Sequence, residues 1–493
     1  MKLFWGDLHN HCNITYGSGS LECALRAARA QLDFCSITPH AFWPDMPPSN
    51  EDTKFIIDFH EKGFEKIKNN WPDYIAAIEK ANVPDIFTTF FSFEMHSSRW
   101  GDHTFVSPDT NLRITPENMP GDVIRANKTV PMIGIPHHIG YTPGYRGINW
   151  EGFDSMISPI VEVCSKHGCA MHDYSGFPYY HDMGPLDGRN TIFRGLALGK
   201  KFSFVGSTDH HAGCPGSFGD GKMAVLAEEN NRQSLWDSLL KGRTYAVTGN
   251  RIKCNFNVNG YCFGSRIEQN NNAEITYSAE AGSALDRVII YRNLEPACLI
   301  DGLTLNACGS PYKVKLEFGW GRNDDPFRWN IIMKIDGGRI MGAEPCFRGA
   351  NLISPAQKLK KTDNINDLAF VIEMPDEYNV SITCDTFRNL STMHSGTSAV
   401  IFEIDGSQKT RLFFDINGKK ESVELASLLK NGFSGHLKPY SSNAYKVHTA
   451  VPHGLYTCNG NINLPGGSGN FYHMEVIQRD GNRAFVSPVY MNG

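Results

Sequence analysis

Six apolar segments in the first 211 residues each run into a histidine or a carboxylate, and that recurrence limits what the chain can fold into. The first leads to Asp7, His9 and His11, and residues 32–38 end at Pro39-His40. Residues 85–93 deliver Glu94 and His96, and residues 129–136 end in His137-His138. Residues 159–161 lead into Glu162 and a Ser165-Lys166-His167-Gly168 loop, and residues 201–208 end in Asp209-His210-His211. Segments that are apolar throughout are buried on both faces, as in a parallel sheet covered by helices. Polar residues at successive carboxyl ends are the layout of a (βα)-barrel site. Leu21, Ala24, Leu25 and Ala28 recur at helical spacing, and residues 51–82 read as two helices broken at Trp71-Pro72. Alternation along the first strand places Asp7, His9 and His11 on one face, two imidazoles for a metal and a carboxylate to orient one of them.

Beyond a helix at residues 232–241 the pattern changes. From about residue 251, alternating runs at 313–318, 378–384 and 411–416 lie between turn dipeptides such as Asn259-Gly260, Asp336-Gly337, Asp405-Gly406 and Asn417-Gly418. Alternation with such turns predicts an antiparallel β-sandwich, interrupted by a short helix over 422–430 that Asn431-Gly432 closes. The expected organisation is an α/β unit over residues 1–250 and a β-sandwich over 251–493.

Net charge is −5 with no Lys/Arg run, so no nucleic-acid footprint is expected. No apolar stretch has membrane-spanning length, and no signal peptide is expected at the N-terminus. Thirteen cysteines without a C-x-x-C pair read as reduced thiols of a cytoplasmic protein. Nothing in the sequence specifies an oligomer.

Most of the eighteen histidines fall before residue 212, at expected strand ends or in the loops that follow. Imidazole and carboxylate together suit divalent ions such as Zn²⁺ or Mn²⁺, and Glu94 is placed to bridge two of them. His138 and His210 alternate away from their neighbours and read as supporting residues. His96 reads as a ligand, a substrate contact or a plain hydrogen-bonded side chain, and His167 as a general acid, a ligand or a solvated loop residue. His60 and the histidines from His394 onward show no clustering. Arg99, Arg146, Lys166 and Arg189 are candidates to hold an anionic substrate.

In order along the chain, Gly6-Asp7-Leu8-His9-Asn10-His11, Thr38-Pro39-His40, Phe93-Glu94, Ile135-Pro136-His137 and Gly206-Ser207-Thr208-Asp209-His210-His211 resemble the motifs of the PHP (polymerase and histidinol phosphatase) superfamily. Within it the chain is most similar to a large PHP-like family, through residues 162–168, 206–216 and 245–252, Val258-Asn259-Gly260, and a terminal stretch from Asp480-Gly481 to Ser487-Pro488. The resemblance covers residues 1 to about 265 and the last stretch of the chain. It implies a distorted (βα)7 PHP-type barrel, followed by the β-sandwich, with two or three divalent ions (zinc, manganese or iron). Carried over by position, His9, His11, Glu94 and Asp209 would hold one ion, Glu94, His103 and His137 a second, and His40 and His211 would belong to a third. Two departures stand out. Gly17 replaces an Asp or His that would serve the third ion, leaving Tyr16, Cys12 or His96 as nearest substitutes, and Pro39 replaces a carboxylate beside His40.

The function implied is hydrolysis, in which bridged ions lower the pKa of a bound water and stabilise the developing oxyanion. His167, Asp209 and Arg99 are the catalytic candidates. The resemblance makes a phosphoesterase acting on a small anionic substrate the leading expectation. Hydrolysis of a carbon-centred ester, lactone or amide is the alternative, and an inactive barrel serving as a carbohydrate-binding or scaffold protein is a second one.

Overall fold

The computed structural model describes residues 1–175, 184–321, 326–352, 364–388, 395–440 and 442–492; His394 lies outside them. Lys2–Asp7 is the hub of a large sheet. On one edge it pairs parallel with Phe34–Cys35, which pairs parallel with Thr88–Thr89; on the other it pairs antiparallel with Lys222–Ala227. The strand ends at Asp7, so His9 and His11 stand in the loop beyond it and not on its face. His40–Phe42, Phe91–Met95, His103–Ser107 and Ile133–Pro136 form a second sheet, parallel at its first pair and antiparallel at the next two. Ile160–Ser165 runs parallel to Ser203–Gly206.

The N-terminal region is therefore mixed α/β. Closure of the distorted (βα)7 barrel expected from the sequence is not detected: among the described residues these strands belong to separate hydrogen-bonded sheets. Connection length accounts for the antiparallel pairing of Phe91–Met95 with His103–Ser107. A parallel crossover needs a dozen or more residues, and residues 96–102 are too few to make one, so the chain turns back as a hairpin.

One helix, Lys54–Ala81, stands where two were expected, with Pro72 inside it. An interior proline costs about 3 kcal/mol. Ile67, Tyr74 and Ile78 are buried along one face of the helix, and each such burial contributes roughly 1.5–3 kcal/mol, which outweighs the break. The Tyr74 hydroxyl also donates to the Ile37 carbonyl at 2.8 Å.

Past Lys222–Ala227 the large sheet continues through Thr244–Val247 to Arg483–Asn492, Phe471–Gln478, Leu285–Arg292 and Glu295–Asp301. Its hydrogen bonding crosses residue 250. Thr244–Val247 is buried throughout, whereas Lys253–Val258 alternates, so the change of period marks a change in strand burial and not a sheet edge. Lys253–Val258, Asn272–Glu280 and Thr457–Pro465 form a smaller antiparallel sheet. Its inner face shares one core with the large sheet, including Trp5, Tyr245, Phe256, Ile275, Met474 and Val486. A further antiparallel sheet is built on the long strands Phe327–Cys346 and Ser398–Ile416. Its core holds Trp329, whose indole donates to Thr386 Oγ1 at 2.8 Å. The short helix expected at 422–430 is only Leu425–Leu428, because Lys419–Glu424 pairs as a strand with Ser398–Ile416.

All thirteen cysteines are free thiols and most are buried, where they pack as small apolar groups. Among the described residues no helix is long and apolar enough to cross a membrane.

Phe485, near the C-terminus, is fully buried in one core with Val161, Phe204 and Ala246. Phe485→Ala should therefore cost about 3–5 kcal/mol and lower the midpoint of a single denaturant transition for the whole chain. Two resolved transitions, with only one shifted, would show that the sheet does not couple the two ends of the sequence.

Candidate metal centre

Two buried carboxylates sit at the meeting point of the N-terminal segments. Glu94 projects from Phe91–Met95, a strand buried along its whole length. Its Oε1 lies 3.1 Å from His96 Nδ1 and 3.1 Å from His137 Nε2. Its Oε2 lies 3.3, 3.5 and 3.9 Å from Nε2 of His40, His11 and His9. Asp209 divides its oxygens in the same way. Oδ1 is 2.8 Å from His11 Nε2, 3.4 Å from His9 Nε2 and 3.6 Å from His211 Nδ1. Oδ2 is 2.8 Å from His167 Nε2 and 3.4 Å from His138 Nε2.

Hydrogen bonds on the far side of the rings fix which nitrogen faces inward. His11 Nδ1 donates to the Thr38 carbonyl at 2.6 Å and His211 Nδ1 to the Asp209 carbonyl at 3.0 Å, leaving each Nε2 with a lone pair. His9 Nδ1 meets Glu162 Oε2 at 2.9 Å, the carboxylate–histidine pairing typical of metal ligands. His40 Nδ1 bonds Thr15 Oγ1 at 3.1 Å, so a hydroxyl takes the place of the carboxylate that Pro39 cannot supply.

The protonation states suit cation binding. Burial would raise Glu94, but the imidazoles of His40, His96 and His137 outweigh it, and the carboxyl lies well below its usual range. Asp209 is held down by His9, His167 and His211 against the same burial. Burial, reinforced by neighbouring rings, pushes His40, His138 and His211 well below the usual imidazole range. His9 differs: burial disfavours its charge, yet Asp209, Glu162 and Glu94 together lift it to about 10. Glu94 Oε2 accepts no hydrogen bond, although three imidazole nitrogens surround it. A buried carboxylate oxygen that faces imidazole nitrogens and receives no hydrogen bond among the described residues fits a shared cation. The ligand-type atoms of His11, His40 and His211, of His9, His11 and Asp209, of His9, Glu94 and His137, and of His40, Glu94 and His96 lie within 4.8 Å of one another in each group. These buried triads are consistent with a multi-metal site.

Asp7 holds the scaffold together. Its carboxylate accepts from the backbone N–H groups of His9, Thr208 and Gly216 and from the Thr208 hydroxyl. It therefore orients loops, where the sequence suggested that it orients an imidazole. Burial raises it to about 6 in spite of these donors. Backbone strain gathers here too: His138, Arg146 and Asp209 have φ of 51°, 70° and 48°, left-handed conformations that non-glycine residues seldom adopt.

The structure brings together His9, His11, His40, Glu94, His137, His167, Asp209 and His211. It does not bring His103 to them. Glu94 stands opposite Thr104 across the antiparallel pair, so alternation turns His103 to the other face, where Nδ1 donates to the Gly101 carbonyl and the ring lines a separate cavity with Trp100 and Met119. The same alternation brings Asp102 inward, 3.2 Å from His96 Nδ1. Arg99 is exposed and stacks over Trp100, whereas Arg146 is ion-paired to Asp102 beside the cluster. Arg189 is paired with Asp187 on the surface, and Lys166 is buried against Asp220.

His138 was expected to point away and instead faces Asp209, because its left-handed backbone ends the strand alternation. His60 was assigned no role; its ring lies 5.2 Å from that of His96, and Nδ1 donates to the Ile56 carbonyl at 2.7 Å. Its position on a helix distant in sequence gave no signal. A side chain at Gly17 would meet the Cys12 carbonyl oxygen at 2.7 Å and the His211 carbonyl oxygen at 3.0 Å, so that position is closed to any ligand. The Tyr16 ring stacks on His40 at 3.9 Å, and its hydroxyl is 2.9 Å from His96 Nε2.

Residues 217–303 match the model of a family described as a protein of unknown function, DUF3604. A protein of Chlamydia trachomatis is 21% identical over 281 residues, 54% of this chain and 42% of its own length. One of Chlamydia pneumoniae is 22% identical over 322 residues, 60% and 48% of the two chains. Both are described as uncharacterized, and the chain spans about half the length of these curated relatives. A solved structure from Bacteroides vulgatus, described as a two-domain protein containing a predicted PHP-like metal-dependent phosphoesterase, is 12% identical. That match covers 86% of this chain and 95% of the other with a TM-score of 0.31.

Two outcomes follow from this geometry. Glu162→Gln should weaken divalent-ion binding about 10–100-fold with the fold intact, measured by competition with a chromophoric chelator; unchanged affinity would remove Glu162 from the site. Because His9 holds its proton up to about pH 10 in the ion-free protein, ion binding must displace it. Apparent Mn²⁺ affinity should thus rise roughly tenfold per pH unit between pH 6.5 and 8.5. A flat profile would contradict the assignment of His9 as a ligand.

Proposed function

We propose that the protein is a metal-dependent hydrolase of small phosphate esters. The observation that carries this reading is the division of labour at Glu94 and Asp209, each of which presents its two oxygens to different sets of imidazoles. Such carboxylates are suited to sharing between neighbouring ions. Divalent ions held there would supply a Lewis acid and a water acidic enough to attack at neutral pH.

The chain's own residues contribute position and charge. The cluster is buried, and Tyr16, Trp43 and Arg146 are partly exposed beside it. Arg146 is held by Asp102 through Nε at 2.7 Å and stacks 5.5 Å from the Trp43 ring, which keeps its planar donors preorganised. A cation fixed at that point favours an anionic substrate. His167, 2.8 Å from Asp209, stands in a tight hairpin where it can hand a proton to a leaving group.

Protein reconstituted with Mn²⁺ or Zn²⁺ should hydrolyse generic phosphomono- or phosphodiesters. His9→Ala with His11→Ala should abolish both turnover and most bound metal. Arg146→Ala should act mainly on KM, by about tenfold, as expected for loss of a charged substrate contact. A fully metal-loaded protein that turns over carboxylic esters or lactones and no phosphoester would replace this reading with its carbon-centred alternative.

A further inference from the structure

A second site, independent of the metal centre, lies at the opposite end of two of its strands. A cleft of about 540 Å³ opens beside the amino ends of Ile160–Ser165 and Ser203–Gly206, lined among others by Pro159, Ser203, Lys241, Arg243, Tyr261 and Arg266. His167 and Asp209 follow the carboxyl ends of the same strands, roughly 15 Å away at about 3.3 Å per residue.

Among the described residues three cations line this cleft and no acidic residue does, in a chain whose net charge is −5. Among the described residues none of the three has a carboxylate partner: Arg243 reaches only the Met1 sulfur at 3.4 Å, and Arg266 the Lys201 carbonyl at 3.5 Å. This contrasts with Arg146, Arg189, Arg232 and Arg328, each ion-paired to an acid. Ser155, Ser203 and Ser265 add hydroxyl donors, and Tyr261 is an exposed ring at the rim.

The floor is preformed. Gly242 and Gly264 have φ of +64° and +82°. A Cβ on Gly264 would lie 2.0 Å from the Gly242 carbonyl oxygen, and one on Gly242 would lie 2.3 Å from Ser203 Oγ. The turn bearing Lys241 and Arg243 is thereby packed backbone to backbone against the turn that leads into Arg266. We infer that this cleft is a binding site for a phosphorylated small molecule carrying at least two negative charges. Two guanidinium groups and an ammonium group lining one open cleft are complementary to phosphate oxygens, and a polyanion relieves their mutual repulsion.

The test uses full-length, chelator-treated protein, so that neither metal nor turnover takes part, with pyrophosphate as the probe in calorimetry and thermal melting. Pyrophosphate should bind saturably and raise Tm, with affinity falling several-fold between 50 and 500 mM KCl, as expected for screened charges. The His9→Ala/His11→Ala protein should bind equally well. Lys241→Gln with Arg266→Gln, two exposed positions, should weaken binding tenfold or more. No saturable binding, binding that is insensitive to salt, binding lost with the histidines, or binding kept by the cation double variant would each overturn the proposal. So would association with vesicles containing anionic lipid when free pyrophosphate does not bind, since the ligand would then be a surface and not a small molecule.

Discussion

Two carboxylates buried among imidazoles are the constraint around which the N-terminal region is arranged. Taking an ionised carboxylate out of water costs several kcal/mol unless charge and hydrogen bonds replace the lost solvent. Glu94 and Asp209 are both almost wholly buried, and their oxygens face imidazole nitrogens from several segments of the chain. Such an arrangement persists only if the surrounding chain is held in place by other means. Asp7 does this by accepting from three segments at once, and the far-side hydrogen bonds of His9, His11, His40 and His211 lock each ring.

The sheet explains how the site is kept rigid. Lys2–Asp7 lies two strands from one end of a ladder that extends on that side to Thr88–Thr89 and on the other, through Arg483–Asn492, to Glu295–Asp301. The last strand of the chain is therefore a neighbour of Thr244–Val247, and Ser487 Oγ accepts from the Phe204 backbone N–H at 2.6 Å, two residues before Gly206. Distortion of the C-terminal region would be felt in the segment that carries Asp209. The long strands around Trp329 contribute a separate core, joined to the first region where Ala27, Ala212 and Cys214 pack into it.

Much of the site was legible before the structure was known, because the signal was local. An apolar run that stops at His or Glu is visible within a few residues, and His9, His11, His40, Glu94, His137, His167, Asp209 and His211, which the structure brings together, all stand at or just beyond such ends. His103 and Asp102 show where that signal fails. Which of two adjacent residues faces the site depends on the register of a strand pair, and register follows from a partner that pattern alone does not identify. His138 fails for another reason: a single left-handed residue after a strand cancels the alternation on which the expectation relied.

The sequence by itself determined the concentration of metal-ligating residue types before residue 212, the β/α character of the first half and the antiparallel character of the second, since residue type and hydrophobic period are properties of short windows. Only the tertiary structure decided how the strands are divided among hydrogen-bonded sheets, that one sheet spans residue 250, and that Arg146 rather than Arg99 stands beside the candidate metal ligands. Each of these depends on contacts between segments far apart in the chain. Their free energy comes from surfaces that meet only after folding, and no window of sequence contains both surfaces.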